Sequence, residues 1–148
     1  MNTGTGRMAA KVFIDACVFI EAALYQPRAE ECRGLLKKIA AGQLAAITSD
    51  YCIYAFVLAL LGRGLPHHKA REAFETAMRI PNIEIYRPEL EDMRTAIENA
   101  GKSGLGFDDA LVLACMKKAG AVSMATLDSD FLGKGVAFEI APRGAGRT

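Results

Sequence analysis

The sequence predicts an α/β fold in which a central, mostly parallel sheet is covered on both faces by helices. Short β-branched or aromatic runs alternate with helical segments along the whole chain, and this alternation is typical of parallel sheets. No repeat, linker or low-complexity block divides the chain. Because sites in such folds form beyond the carboxyl ends of the strands, acids that follow predicted strands are the first candidates for function.

The first part of the chain supplies two predicted strands and three predicted helices. A strand at residues 11–14 precedes an apolar helix at residues 16–25, which a proline ends. Residues 28–41 carry apolar side chains at helical spacing and stop at a glycine. A strand at residues 44–47 leads through a capping Thr-Ser-Asp segment into a helix at residues 51–61. Since that helix contains no charged residue, we expect it to be largely buried.

The next part adds two amphipathic helices and an alternating strand. A proline favours the first turn of a helix at residues 67–79, and residues 83–86 alternate like a strand. A helix at residues 88–101 has acids in its first turn, where they suit the helix dipole. A flexible loop is predicted at residues 102–106. The helix before this loop is expected to bury three apolar side chains: Leu90, Met93 and Ile97.

Residues 106–131 form the stretch around which the rest of the chain is organised. A helix at residues 110–119 is too apolar to face water on more than one narrow side, and a strand at residues 122–125 follows it. A last strand is predicted at residues 136–140. The stretch carries acids just before its helix and just after its strand: Asp108, Asp109, Asp128 and Asp130.

Length and composition indicate one domain without a membrane segment. We divide the 148 residues into a flexible leader (1–10), a folded domain (11–141) and a basic tail (142–148). No apolar run approaches the ~20 residues that span a bilayer, and no secretory signal is recognisable. The four cysteines form no C-x-x-C pair and only two histidines occur. We therefore expect a cytoplasmic protein with reduced thiols, no zinc site and no membrane partner.

The net charge gives no argument for a nucleic-acid partner. It is +1, from 18 basic and 17 acidic residues. A polyanionic substrate would have to be attracted by a local basic patch or by bound cations. Several basic residues next to predicted loops are candidates, although a solvated surface is the simpler interpretation for each: Arg63, His67, His68, Lys69 and Lys102.

Acids from three separate segments are predicted to meet at one edge of the sheet. Asp15 follows the first strand, Asp109 opens the apolar helix and Asp128 follows the next strand. Taken singly, such acids could cap a helix, favour a helix dipole or start a turn. Together they would repel one another unless cations neutralise them. Hard oxygen ligands favour Mg²⁺ or Mn²⁺, so the residues predict a metal-dependent phosphodiesterase.

Three motifs resemble the PIN-domain ribonuclease family, which includes the VapC-like toxins of toxin–antitoxin pairs. The motifs are VFIDACVFI, GFDDALVLA and ATLDSDF, and the resemblance covers residues 11–140. It implies a three-layer α/β/α domain with a mostly parallel sheet. It also implies endonucleolytic hydrolysis of RNA through water activated by Mg²⁺ or Mn²⁺. An RNA substrate, an antitoxin partner and a homodimer follow as expectations.

The resemblance assigns the catalytic acids residue by residue. Asp15, Asp109 and Asp128 match the family's acids and are expected to bind the metal and carry catalysis. Asp130 is expected as a further metal ligand. Thr126 could donate a hydrogen bond to a phosphate or to an Asp carboxylate. The remaining supporting candidates are Asp108, Cys17, Asp50 and Glu21.

Two departures from the family pattern leave a second function open. The family usually has a Glu in the helix after its second strand, and here Ala55 stands at or near that position with no acid between residues 51 and 61. Cys17 replaces the family's Ser or Asn, and a thiol is a weaker hydrogen-bonding group than a hydroxyl. Asp50 or Glu21 could substitute for the missing acid. The alternative function is a degenerate PIN domain that binds RNA or protein without cutting.

Two other Asp-dependent α/β classes fit less well. A haloacid-dehalogenase-like phosphatase would need a second Asp two residues after Asp15, where Cys17 stands. A phosphoacceptor receiver domain would need paired acids directly after the first strand, and only one is present.

Overall fold

The computed structural model describes residues 10–145. The leader predicted at residues 1–10 therefore lies almost entirely outside the described residues, as does the end of the tail predicted at residues 142–148. None of the helices between residues 10 and 145 is long and apolar enough to cross a membrane.

One parallel sheet of five strands forms the centre of the molecule. The strands are β1 Lys11–Ile14, β2 Ala45–Ser49, β3 Ile83–Tyr86, β4 Ala121–Ala125 and β5 Phe138–Ile140. Their order across the sheet is β3-β2-β1-β4-β5, and every neighbouring pair is parallel. At the centre, Phe13 of β1 is paired with Ile47 of β2 and with Met124 of β4. The predicted parallel sheet is confirmed.

Between residues 10 and 145, six α-helices cover the two faces of this sheet. They are α1 Ala16–Leu24, α2 Ala29–Ala40, α3 Asp50–Gly62, α4 His67–Met78, α5 Leu90–Ser103 and α6 Phe107–Lys118. Val12 and Ile14 of β1 belong to an apolar core shared with α1 to α4. Phe13, which points to the opposite face, belongs to a second core with α5 and α6. The three-layer α/β/α architecture is thereby confirmed.

The prediction that the uncharged helix α3 is largely buried holds for only one face of the helix. Phe56 and Leu60 are buried, but Tyr54 is 63% exposed and Leu58 is 53% exposed. A helix in an outer layer is covered only on the face that it turns to the sheet. The absence of charge therefore does not show that the opposite face is covered.

The predicted inner stripe of α5 is also wrong. Leu90 is 81% exposed, Ile97 is 64% exposed and Met93 is 37% exposed. The residues that face the interior are Asp92 and Ala96, which are 5% and 0% exposed. The small side chain of Ala96 allows the face of α5 that carries it to pack against the core. The larger apolar side chains of Leu90, Met93 and Ile97 then lie on the solvent side of the helix.

The buried carboxylate of Asp92 is compatible with this orientation because its hydrogen bonds are made. It accepts from the Tyr86 hydroxyl at 2.5 Å and from the Glu89 N–H at 2.8 Å, the second as part of a capping box. The loop predicted at residues 102–106 begins later than expected, since α5 continues to Ser103. Gly104 then ends the helix with a φ of 77°.

Candidate functional site

The central strands bring two sequence-distant segments together at their carboxyl ends. Ile14 of β1 is paired with Ala125 of β4, and the Asp15 N–H donates to the Ala125 carbonyl at 3.1 Å. Asp15 therefore lies beside Thr126. Asp109 lies in the first turn of α6 and lines the same cleft as Asp15.

Thr126 is fully buried and holds two of the acids in place. Its hydroxyl donates to Asp15 Oδ2 at 2.7 Å and accepts from the Asp128 N–H at 3.0 Å. Since the side chain has no exposed surface, it does not reach a phosphate. Of the two contacts considered from the sequence, the hydrogen bond to an Asp carboxylate is the one found.

Asp15 both caps a helix and lines the cleft. Its Oδ1 accepts from the Ala16 N–H at 2.8 Å at the start of α1. Burial raises the pKa of the Asp15 carboxyl, the nearby charge of Asp128 raises it further, and the hydrogen bonds from Thr126 and Ala16 oppose both effects. Oδ2 also accepts from the Cys17 thiol at 3.5 Å, so Oδ1, with one hydrogen bond, is the oxygen with more acceptor capacity left.

Three further carboxylates lie close enough to share one cation. Asp109, Asp128 and Asp130 each offer an oxygen within 4.8 Å of the others. Asp128 begins a short 3₁₀ turn, Ser129–Phe131, and its Oδ1 accepts from the Asp130 N–H at 2.9 Å. Burial raises the pKa of Asp109 to about 7, and the negative charges of its neighbours add to the effect.

A cleft of about 210 Å³ opens over these groups. Four acids line it: Asp15, Asp108, Asp109 and Asp128. Asp108 lies at its exposed margin, where Oδ1 accepts from the Asp109 N–H at 2.9 Å. The donors are hard oxygens, and among the described residues the cluster includes neither His nor a thiolate. This donor set suits Mg²⁺ or Mn²⁺, which the cluster and Asp15 could hold.

Cys17 forms hydrogen-bonding contacts at the position where the family usually has Ser or Asn. Its Sγ accepts from the Leu127 N–H at 3.2 Å and lies 3.5 Å from both Asp15 Oδ2 and Thr126 Oγ1. Burial raises the pKa of this thiol to about 12, and the charge of Asp15 adds to the rise. Cys17 therefore remains a neutral thiol that joins the loop after β4 to the start of α1.

Two supporting candidates lie outside the cleft. Asp50 is the exposed first residue of α3, and the cap of that helix is Ser49, whose hydroxyl accepts from the Cys52 N–H at 3.0 Å. Glu21 is buried, and its Oε2 accepts from the Arg28 N–H at 2.8 Å in the turn between α1 and α2. The structure brings neither carboxylate to the other acids.

Helix α3 contributes three residues without a carboxylate to the lining of the cleft: Tyr51, Cys52 and Ala55. Tyr51 and Ala55 lie one helical turn apart. The position at which the family usually has a Glu therefore faces the acids but carries a methyl group. Tyr51 was not identified from the sequence, although its i, i+4 relation to Ala55 was a usable signal. Burial raises the pKa of the Tyr51 hydroxyl, and the charge of Asp108 adds to the rise.

Comparisons with known proteins agree with this architecture. The family model described as "PIN domain" matches residues 12–135. None of the curated proteins matches the chain.

Among solved structures, VapC20 of Mycobacterium tuberculosis, described as a sarcin-ricin loop cleaving toxin, is similar to this chain with a TM-score of 0.68. The two are 20% identical over 85% of this chain and 96% of VapC20. VapBC2 of Rickettsia felis, bound to a promoter DNA fragment, gives a TM-score of 0.66 at 13% identity over 88% of this chain and 98% of the other. At these identities the structures show a shared fold.

Proposed function

The chain belongs to the PIN domain family, and we propose from this that it is a metal-dependent endoribonuclease. The observation that carries the proposal is the carboxylate cluster of Asp109, Asp128 and Asp130, whose oxygens lie within 4.8 Å of one another, next to Asp15 in one cleft. Acids packed this closely are costly unless a cation neutralises them. Such a cluster is therefore more consistent with metal binding than with three independent structural roles.

The residues of the site divide into those that would hold the ion and those that position them. Asp15, Asp109, Asp128 and Asp130 would hold Mg²⁺ or Mn²⁺. Such an ion lowers the pKa of water and stabilises negative charge at phosphorus. Thr126 keeps Asp15 and the loop after β4 together through its two hydrogen bonds.

The solved structures that share this fold support the proposal of a biological role as a toxin. VapC20 is described as a toxin, and a toxin–antitoxin complex of Klebsiella pneumoniae shares the fold with a TM-score of 0.61 at 15% identity, over 85% of this chain and 95% of the other. We extend the proposal to this chain as the toxin of a toxin–antitoxin pair, with RNA as substrate and a protein antitoxin as partner.

Cleavage of RNA in the presence of Mn²⁺ tests the enzymatic part of the proposal. Asp109→Asn removes one charge of the cluster and is expected to reduce the rate by about 100-fold or more, as loss of a metal ligand or its support does. Asp50→Asn is the matched control, because it removes an exposed Asp from the first turn of another helix outside the cleft. Equal cleavage by wild type and Asp109→Asn would refute the assignment.

A second candidate function is a PIN domain that binds RNA or protein without cutting. The observation that favours it is Ala55, which faces the cleft where an additional carboxylate would strengthen metal binding. Calorimetry with Mn²⁺ separates the two functions. If no heat of binding appears at millimolar Mn²⁺, the scaffold function is the better account.

A further inference from the structure

A second depression, a groove of about 990 Å³, shares helix α6 with the acidic cleft. It is bordered by α5, α6 and the loop that joins β4 to β5. Asp109 lines the cleft and the next residue, Ala110, lines the groove, so the two depressions lie on different sides of the same helix. Four lysines line the groove: Lys102, Lys117, Lys118 and Lys134.

Among the residues that the structure describes, none of these four lysines forms a salt bridge with a carboxylate, whereas Arg28, Arg71 and Arg94 do. Two acids also line the groove. Glu91 pairs with Arg94 at 3.2 Å. Asp92 stays charged, because the effect of burial, which raises its pKa, is outweighed by hydrogen bonds from Tyr86 and Glu89 and by the nearby charge of Lys118, which lower it. Four lysines and two carboxylates leave the groove with an excess of positive charge.

Two of the lysines lie a few nucleotides' length from the acids of the cleft. Lys117 follows Asp109 by eight residues on α6, which corresponds to about 12 Å along the helix axis. Lys134 follows Asp130 by four residues and so lies within about 14 Å of it along the chain. Its Nζ donates to the Ser103 carbonyl at 2.8 Å, which fixes it at the end of α5. Basic residues thus lie within about 12–14 Å of the acids, measured along α6 and along the chain.

Helix dipoles help to explain this arrangement. Lys102 lies in the last turn of α5, and Lys117 and Lys118 lie in the last turn of α6, where cations are generally favourable. Lys134 comes from a loop, but its Nζ donates to the Ser103 carbonyl at the end of α5, where the same dipole favours a cation. The positive charge of the groove therefore collects at the C-terminal ends of α5 and α6.

We propose that this lysine groove binds the backbone of a single-stranded segment of the RNA whose scissile phosphodiester enters the acidic cleft. An acidic cleft repels RNA before metal binds and the net charge of the protein is only +1, so attraction has to come from a neighbouring basic surface. The groove also has apolar residues, among them Leu113, Met116 and Val136. Unpaired bases can pack against these apolar side chains, whereas a duplex presents mainly phosphates and sugars.

The proposal rests on the proposed function for the identity of the strand, but its test does not need cleavage. The probe is a fluorescein-labelled oligouridylate of about 12 nucleotides, titrated in EDTA so that no metal-dependent reaction occurs. Lys117→Ala/Lys118→Ala is expected to weaken binding by about tenfold at low salt. It is also expected to reduce the slope of log K against log salt by about 1.4, since each contact to a single strand contributes about 0.7.

The matched control is Lys37→Ala/Lys38→Ala. These two adjacent lysines are exposed in the last turn of α2, another 12-residue helix, so the control reproduces the loss of the dipole contact. Lys117→Arg/Lys118→Arg is expected to restore binding. The proposal that the lysine groove binds RNA would be overturned if the α2 and α6 alanine variants bound the oligouridylate with equal affinity, or if the wild type did not bind it. If the wild type binds the oligouridylate normally but does not cleave RNA with Mn²⁺, RNA binding by the groove would be supported and the proposed nuclease activity refuted.

Discussion

Burial, and after it the negative charges of the neighbouring acids, disfavour the ionised form of Asp109, and this has a consequence for stability. Its pKa is raised from 3.8 to about 7, so the folded protein retains a proton that the unfolded chain releases above about pH 4. The folded state then binds more protons between about pH 4 and 7. Its stability is greatest below this range and falls as the pH rises through it, provided that no metal is bound.

The first prediction is that Asp109→Asn stabilises the metal-free protein. At pH 8 in EDTA, we expect a gain of about 1 kcal/mol after allowance for solvent screening, which is about 2–4 °C in Tm for a chain of this size. At pH 4 the difference should largely vanish. Thermal unfolding at both pH values measures it, and a variant that is no more stable than wild type at pH 8 would contradict the origin assigned to the raised pKa.

The second prediction concerns the methyl group of Ala55. Ala55→Glu adds a carboxylate to the cleft and is expected to increase Mn²⁺ affinity by about tenfold, which is within the range of effects seen for groups that support a metal ligand. Ala59→Glu adds the same charge one turn further along α3 and does not line the cleft. Calorimetry compares the two variants with wild type. A similar gain in both would show that general charge, not position, is responsible.

The third prediction separates the two hydrogen bonds of Thr126 from its packing. Thr126→Val preserves the shape but removes the hydroxyl that donates to Asp15 Oδ2 and leaves the Asp128 N–H without its acceptor. We expect a loss of about 1–3 kcal/mol in the free energy of unfolding, measured by urea denaturation. Thr126→Ser keeps the hydroxyl and should lose less, and the opposite order would show that packing dominates.

At the scale of elements, α5 shows where sequence reasoning failed. The larger side chains of Leu90, Met93 and Ile97 formed a helical stripe and were assigned to the core, but Ala96 and Asp92 occupy it. The hydrophobicity of the side chains does not reveal that the small Ala96 packs against the core. It also does not reveal that the Tyr86 hydroxyl of β3 donates a hydrogen bond to the buried carboxylate of Asp92. Which residues of α5 are buried depends on how closely the helix packs against its neighbours, and a single sequence does not give that distance.

The exposed stripe of α5 supports the expected homodimer, and this is the fourth prediction. Leu90→Lys/Ile97→Lys introduces charge into the stripe and is expected to convert a dimer into a monomer, measured by size-exclusion chromatography with light scattering. Because both side chains are more than half exposed, the monomer should stay folded and change by no more than about 0.5 kcal/mol. Leu58→Lys places charge on exposed α3 and should leave the dimer intact; dissociation by both variants equally would contradict a dimer built on α5.

At the scale of the whole molecule, the sequence predicted the alternation of strands and helices and the edge at which the acids meet. These follow from local patterns and from the parallel arrangement that such alternation favours. It did not predict that β1 lies between β2 and β4, although this order brings Asp15 to Thr126. Nor did it predict that Cys17 accepts the Leu127 N–H, because that contact depends on a loop separated from it by over a hundred residues.

Anomalous scattering from a crystal soaked in Mn²⁺ would show directly whether acids from separate segments of the chain converge to bind a divalent cation. We expect an anomalous peak in the cleft, with carboxylate oxygens of Asp109 and Asp128 about 2.0–2.3 Å away, in the range of hard divalent cations. A cleft without a peak at millimolar Mn²⁺, or a peak bound only by residues elsewhere on the surface, would contradict the claim.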